Sequence, residues 1–416
     1  MTDWTMKHFV SLLTGAAVLL FAASCERPDP VPGGPDEALP PLPLQGVAQL
    51  FSSLPLSPDQ VREVQDAVSA SSEGGYDEEY MMCDLFESPG SGVGSGPDAT
   101  RASSYAHPLR ELIRDCLSER LRTRSGGGAE AAVEAFVSSL SASGFQLYWP
   151  YSFGWDGQTV PVITFDPESE AKANIGYEHV TAADGTVTVR EILVDEDLAR
   201  KRPVWVVNAN DDSGYLSLEQ LRRRDPGWGQ GGRVIIGSVL PGSAGAPTRA
   251  GGARNGAGED FRTLILKDFT MKQHYDSWFR GASEFWVKCG SLQGFTASTE
   301  AELRLFQPTV TDFMLSVKRD QLGETLPFDA IIISDWTEQL DTFAFMIVED
   351  DGGSQTSWKM EATVKIKSKS YGVNVEIPYN EKDDIVWRGP ISSRYFEKYD
   401  GEVVHFGGVD VTFELR

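Results

Sequence analysis

Met360-Glu-Ala-Thr-Val-Lys-Ile-Lys-Ser-Lys369 alternates, with Thr363, Lys365 and Lys367 on one side and Val364, Ile366 and Ser368 on the other. A period of two marks a strand with one wet face and one packed face. Runs of the same texture recur through residues 259–416: Thr263 to Lys272, Glu284 to Cys289, Phe313 to Arg319, Phe328 to Ser334, Thr342 to Glu349, Met360 to Lys369, Val373 to Pro378 and Val409 to Leu415. About eight strands separated by turn residues predict an all-β sandwich.

Upstream of this, residues 225–258 are rich in glycine, alanine, proline and serine and carry almost no periodicity, so they read as a linker and a domain boundary. Residues 46–224 read as a second, α+β domain. Ser57-Pro58-Asp59-Gln60 supplies a hydroxyl cap, a proline at the first helical position and a glutamine three residues after the cap, and Val61, Val64 and Val68 then line one face. A helix from about Pro108 carries Leu109, Leu112, Ile113, Cys116, Leu117 and Leu121 on one stripe. A third, from about Ala129 to Ser141, turns Val133, Phe136, Val137 and Leu140 inward, with Gly144 placed to stop it. From Phe145 on, β-branched and aromatic runs broken by Asp156-Gly157 and Asp184-Gly185 suggest a small antiparallel sheet under the helical layer. The fold class is therefore α+β: a helical layer with an antiparallel sheet, then a C-terminal sandwich.

The first residues have a different character. Lys7 and His8 lead into an uncharged apolar run from Phe9 to Ala23, closed by Ala22-Ala23-Ser24-Cys25. The run is shorter than the roughly 20 residues a membrane-spanning helix needs. It resembles a bacterial lipoprotein signal peptide, residues 1–24, with a lipobox before Cys25. That resemblance implies cleavage before Cys25 and acyl chains on its sulfur and amine, and acyl chains in combination hold a membrane far more firmly than one alone. The proline-rich stretch 25–45 then reads as a semi-extended tether.

The formal net charge is -24, and losing residues 1–24 removes one acid, Asp3, and one base, Lys7, which leaves it unchanged. So acidic a surface disfavours nucleic acid and anionic lipid. After Cys25 the cysteines are Cys83, Cys116 and Cys289, an odd number that allows at most one disulfide and reads more simply as buried small side chains. No zinc-type Cys/His cluster is present, and neither are the HExxH, GxSxG and phosphate-loop patterns, so the sequence favours a non-catalytic protein.

Three stretches carry candidate sites. Asn208, Asn210, Asp212 and Glu219 stand at the first, third, fifth and twelfth positions of a segment that resembles an EF-hand-type calcium loop. Asn208 replaces the usual Asp and Ser213 the usual Gly, and the structural alternative is a polar turn capping a helix through Ser217. Trp149, Tyr151 and Trp155 lie in an aromatic stretch of the kind on which sugar rings stack, the alternative being core packing. Asp77, Glu78, Glu79 and Asp84 are expected to be solvated, a bound cation being the alternative; Asp335, Asp341, Glu349, Asp350, Asp351, Asp383 and Asp384 sit at strand ends, with Glu349-Asp350-Asp351-Gly352-Gly353 read as a solvated hairpin turn. Strand count and loop acids make residues 259–416 resemble C2-type sandwiches, which implies possible calcium as a cofactor.

Leu147-Tyr-Trp-Pro-Tyr-Ser, Arg202-Pro-Val-Trp-Val-Val-Asn, Ser334-Asp-Trp-Thr-Glu-Gln-Leu and Asp383-Asp-Ile-Val-Trp-Arg-Gly resemble a lipoprotein family of Bacteroidota-type bacteria, one that brings no activity with it. The expectation is a lipid-anchored envelope protein, at the outer membrane, that binds glycan or protein or serves in assembly. Its rival is an envelope hydrolase acting on glycan or peptide.

Overall fold

Ser57 caps a helix as its sequence requires: its hydroxyl accepts from the Gln60 N–H, and the Gln60 side-chain oxygen accepts from the Ser57 N–H. That helix is α2 (Pro58–Glu73), preceded by α1 (Leu44–Phe51). The computed structural model describes residues 42–83, 109–122, 129–169, 171–181, 187–210, 216–225, 227–228, 262–292 and 296–416. The leader, Cys25 and nearly all of the tether lie outside these residues, as do Asp84, Asp212, the Asp184-Gly185 turn and all of 225–258 except Asp225, Gly227 and Trp228. Residues Pro41 to Arg416 belong to one compact unit. Among the described residues, no helix is long and apolar enough to cross a membrane.

α1 and α2 join α3 (Leu109–Arg122) and α4 (Ala129–Ser141) in a layer that buries Val47, Phe51, Val61, Val64, Ile113 and Val137. Gly144, at φ 70°, turns the chain out of α4. The layer covers one face of a sheet made of β1 (Glu79–Met81), β2 (Phe145–Tyr148), β3 (Val162–Phe165), β4 (Ala173–Thr181), β5 (Val187–Asp195) and β6 (Val204–Ala209), with α5 (Glu196–Ala199) after β5. The order is β1-β2-β6-β3-β4-β5, antiparallel throughout except for the parallel pair β3 and β6. β6, with Val204, Trp205, Val206 and Val207 all buried, takes a central place that hides both its faces. β2 and β3 therefore flank β6 without pairing, and Asp156-Gly157 is not a hairpin turn between neighbours but part of a longer loop.

Trp278 and Phe279, from the C-terminal half, pack with Tyr148, Val162, Val204 and Val206 on the sheet's other face. The approach needs glycine: Gly281 has φ 129°, and a Cβ there would sit 2.1 Å from Asp77 Oδ2.

α6 (Leu218–Arg224) is capped by Ser217, whose hydroxyl accepts from the Gln220 N–H. The remainder is β7 (Arg262–Met271), β8 (Ser283–Ser291), α7 (Glu300–Leu303), β9 (Thr309–Val317), β10 (Leu326–Trp336), β11 (Leu340–Glu349), β12 (Gln355–Ile366), β13 (Lys369–Asn380), β14 (Asp384–Ser392), α8 (Ser393–Tyr399), β15 (Val403–Phe406) and β16 (Val409–Leu415). One sheet runs β10-β7-β16-β15 and the other β13-β12-β11-β8-β9, with β14 also paired to β11. Phe269, Phe285, Phe313, Phe328, Phe345 and Phe413 fill the space between them. The fold is α+β with a C-terminal sandwich.

Three departures from the sequence expectation are local. β12 stops at Ile366 because Lys367, at φ 57°, opens a two-residue turn into β13, and alternation does not register so short a turn. β14 hides from pattern reading because Gly389 and Pro390 interrupt it, and β15 is only four residues long.

Candidate functional site

The segment from Trp149 to Thr159 leaves β2 through Tyr151, which adopts a left-handed backbone conformation (φ 60°, ψ 29°). Such a conformation in a bulky residue is costly and persists only where surroundings enforce it. Here the Tyr151 hydroxyl donates to Glu196 Oε1 at 2.7 Å, and the Arg200 guanidinium lies 4.7 Å above the ring. The loop is held below by Gln65, which donates to the Ser152 carbonyl at 2.8 Å. Asp156 accepts from the Gln158 and Thr159 N–H groups and the Thr159 hydroxyl, which hold its carboxyl down at about 2. Trp155 donates to the Thr159 carbonyl and lies under Arg62.

This loop, the turn from Ala199 to Pro203 and Asp320 enclose a cleft of about 380 Å³, toward the small end of ligand pockets. Trp149, Tyr151 and Trp155 all reach it, so the structure gathers the three aromatics singled out in the sequence. They are not equivalent. Trp149 forms the inner wall and is 0% exposed, edge-on to Trp155 and Trp205 in the helical core, whereas Tyr151 and Trp155 are half-buried. Phe153, 73% exposed at the rim, is the aromatic most available to a ligand. Alternation within the loop carries no signal for that difference, because the loop has no regular period. Arg200, Lys201 and Arg202 line the opposite rim, Arg200 paired with Glu196 and Arg202 with Glu178, and the acids Asp156 and Asp320 line the same cleft.

The carboxyls behind the lining residues differ sharply in their electrostatics. Burial drives Glu196 upward, but hydrogen bonds from Arg319 and Tyr151 and the charges of Arg319 and Arg200 outweigh it and hold the carboxyl at about 2. Glu78 is raised to about 8, by burial first and then by Asp77, against the pull of Lys318. Asp77, Glu78 and Glu79 are therefore not solvated as expected: all are buried, Asp77 accepting from the Glu78 and Ala282 N–H groups and Glu79 accepting from Asn210 and Ser71.

The four positions of the EF-hand-type pattern meet different partners. Asn208 is buried, its amide donating to the Phe279 and Arg280 carbonyls. Asn210 donates to Glu79 and Gln146. Glu219, in the first turn of α6, pairs with Arg222 and Arg223. Asp212 lies outside the described residues.

A second cluster lies at one end of the sandwich. Asp276, Glu284 and Glu349 are buried, and each offers an oxygen within 4.8 Å of the others. β11 runs from Leu340 to Glu349, so Asp341, paired with Lys365, sits at the opposite end from Glu349, Asp350 and Asp351. Asp384, paired with Glu349 across β14, and Asp383 join the latter group. Glu349 and Asp350 are buried and not in a solvated hairpin turn, since β12 meets β11 only at its far end. Asp350 accepts from the Trp286 indole, the Asn380 amide and the Gly352 N–H. Burial, then neighbouring acids, raise Asp351 to about 6; burial leads the rise of Asp383 to about 6 as well. Asp276 and Glu284, absent from the sequence list, stand far from β11 in the chain and carry no spacing that would betray the convergence. Cys289 is buried in the sandwich core and Cys116 packs half-buried beside the helical one, whereas Cys83 is exposed and does not fit the reading as a buried small side chain.

No family model matches the chain, and neither a curated protein nor a solved structure matches it.

Proposed function

We propose that this protein is a non-catalytic binding module of the bacterial cell envelope, held at a membrane through lipid on Cys25, whose cleft takes a saccharide. The observation that carries the ligand reading is the Trp149-to-Thr159 loop: aromatic surface at Tyr151, Phe153 and Trp155 faces a rim of Arg200, Lys201 and Arg202. Aromatic faces suit the C–H faces of sugar rings, and a cationic edge suits their hydroxyl or carboxylate groups. The anchor reading rests on the lipobox-like sequence before Cys25 and on the tether after it.

The test is a glycan array of neutral and uronic-acid-containing oligosaccharides probed with the protein, followed by titration of the best hit. Phe153→Ala should weaken binding by about 1–2 kcal/mol, roughly five- to thirtyfold, with the melting temperature unchanged because the side chain is 73% exposed. Absence of any glycan binding overturns the ligand reading, and release of shorter oligosaccharides overturns the non-catalytic one. Mass spectrometry of the native protein should find the chain beginning at an acylated Cys25; an intact leader removes the anchor.

A further inference from the structure

We propose that Asp276, Glu284 and Glu349 bind one divalent cation, calcium by the all-carboxylate donor set, at the end of the C-terminal sandwich. This site is separate from the cleft and does not rest on the saccharide reading. The three carboxylates come from the β7–β8 loop, the start of β8 and the end of β11, and each offers an oxygen within 4.8 Å of the other two. Calcium suits a cage made wholly of protein carboxylates, whereas magnesium sheds its waters reluctantly and is seldom held that way. Three carboxylates hold up to six of the six to eight oxygens calcium takes.

Independent support comes from the loop that carries Asp276. Its side chain is 3% exposed, and Asp276 Oδ2 has no N–H or hydroxyl donor; the carboxyl lies within hydrogen-bond reach of Glu349, so a shared proton or a cation must sit between the two. Ser277 Oγ, next along the chain, is likewise buried with no partner. Buried oxygens without a donor are rare in folded proteins and point to an absent water or ion. The nearest cation is over-committed: Arg280 stands 3.7 Å from Asp276 Oδ1, 3.7 Å from Asp166 and 3.2 Å from Asp351. Arg319 meets Asp276 only at its backbone carbonyl, with the rest of the guanidinium on Glu196. A dication among the three carboxylates adds positive charge beyond what Arg280 and Arg319 give Asp276.

Calorimetric titration of the EGTA-stripped full chain with calcium, magnesium and manganese tests this. The expected result is one calcium per chain, weaker magnesium binding, and a melting temperature that rises with calcium and returns on chelation. Glu349→Gln and Asp276→Asn should each weaken calcium by at least about a hundredfold, while the calcium-free variants melt at or above the calcium-free wild type because a buried negative charge has gone. Glu219→Gln, in the EF-hand-like stretch, should bind as wild type does. No calcium binding at about 5 mM, above the 0.1–1 mM range typical of extracellular sites, overturns the proposal. So does loss of binding in Glu219→Gln with retention in Glu349→Gln. Should either triad variant fail to fold, the wild-type stoichiometry and the other variant decide.

Discussion

Trp149→Ala should lower the unfolding free energy by about 3–5 kcal/mol, the usual range for a large aromatic removed from a core. Its indole is 0% exposed and sits edge-on to Trp155 and Trp205, with ring centroids 5.8 Å away in both cases. Leu147, Ile163, Tyr177 and the stripe of α1 and α2 complete the same cluster, so the cavity left behind has close-packed walls on its core side. Urea denaturation followed by circular dichroism measures the loss. Were the variant to keep wild-type stability and lose only ligand binding, Trp149 would be a stacking residue, as its place in the aromatic stretch first suggests.

Arg319→Met should cost about 2 kcal/mol at neutral pH, less than breaking a fully buried ion pair because the Glu196 carboxyl is partly exposed and keeps Arg200. Arg319 is 8% exposed, and its Nε and Nη2 donate to the two oxygens of Glu196 at 3.0 and 3.4 Å while Nη1 donates to the Asp276 carbonyl at 3.1 Å. Glu196 in turn accepts from Tyr151, so the variant also loosens the strained turn that opens the cleft. The pH dependence has a definite sign. Glu196 titrates at about 2 in the folded protein against 4.5 in the unfolded chain, so its stabilising contribution is fully present above about pH 4.5 and is lost as pH falls toward 2. The difference between wild type and variant should therefore shrink on acidification. Paired urea curves at about pH 7 and about pH 3 read this directly, and a difference independent of pH would mean that Arg319 acts by packing alone.

Much of the architecture was legible because it is local. The box at Ser57 and Gln60, the cap at Ser217, the exit at Gly144 and the period of two at Val364 and Ile366 each depend on residues a few positions apart and appear in the structure as written, whereas Ser368, read as facing in, is exposed in the turn after β12. The acids were misjudged for the complementary reason. Asp77, Glu78, Glu79, Glu349 and Asp350 read as solvated because a charge run carries no mark of what will cover it. Here residues distant in the chain do so, with Ala282 on Asp77 and Trp286 on Asp350.

The sequence by itself determined the α+β class, the helical stripes, the strand faces and the lipobox-like start, since propensity, capping and periodicity act over one or two turns of chain. Tertiary structure alone decided that β3 runs parallel to β6, that Trp149 faces the core while Phe153 faces solvent, and that Asp276 and Glu284 meet Glu349. Those outcomes depend on which distant surfaces can be buried together, and that free energy belongs to the packed whole and to no single stretch of the chain.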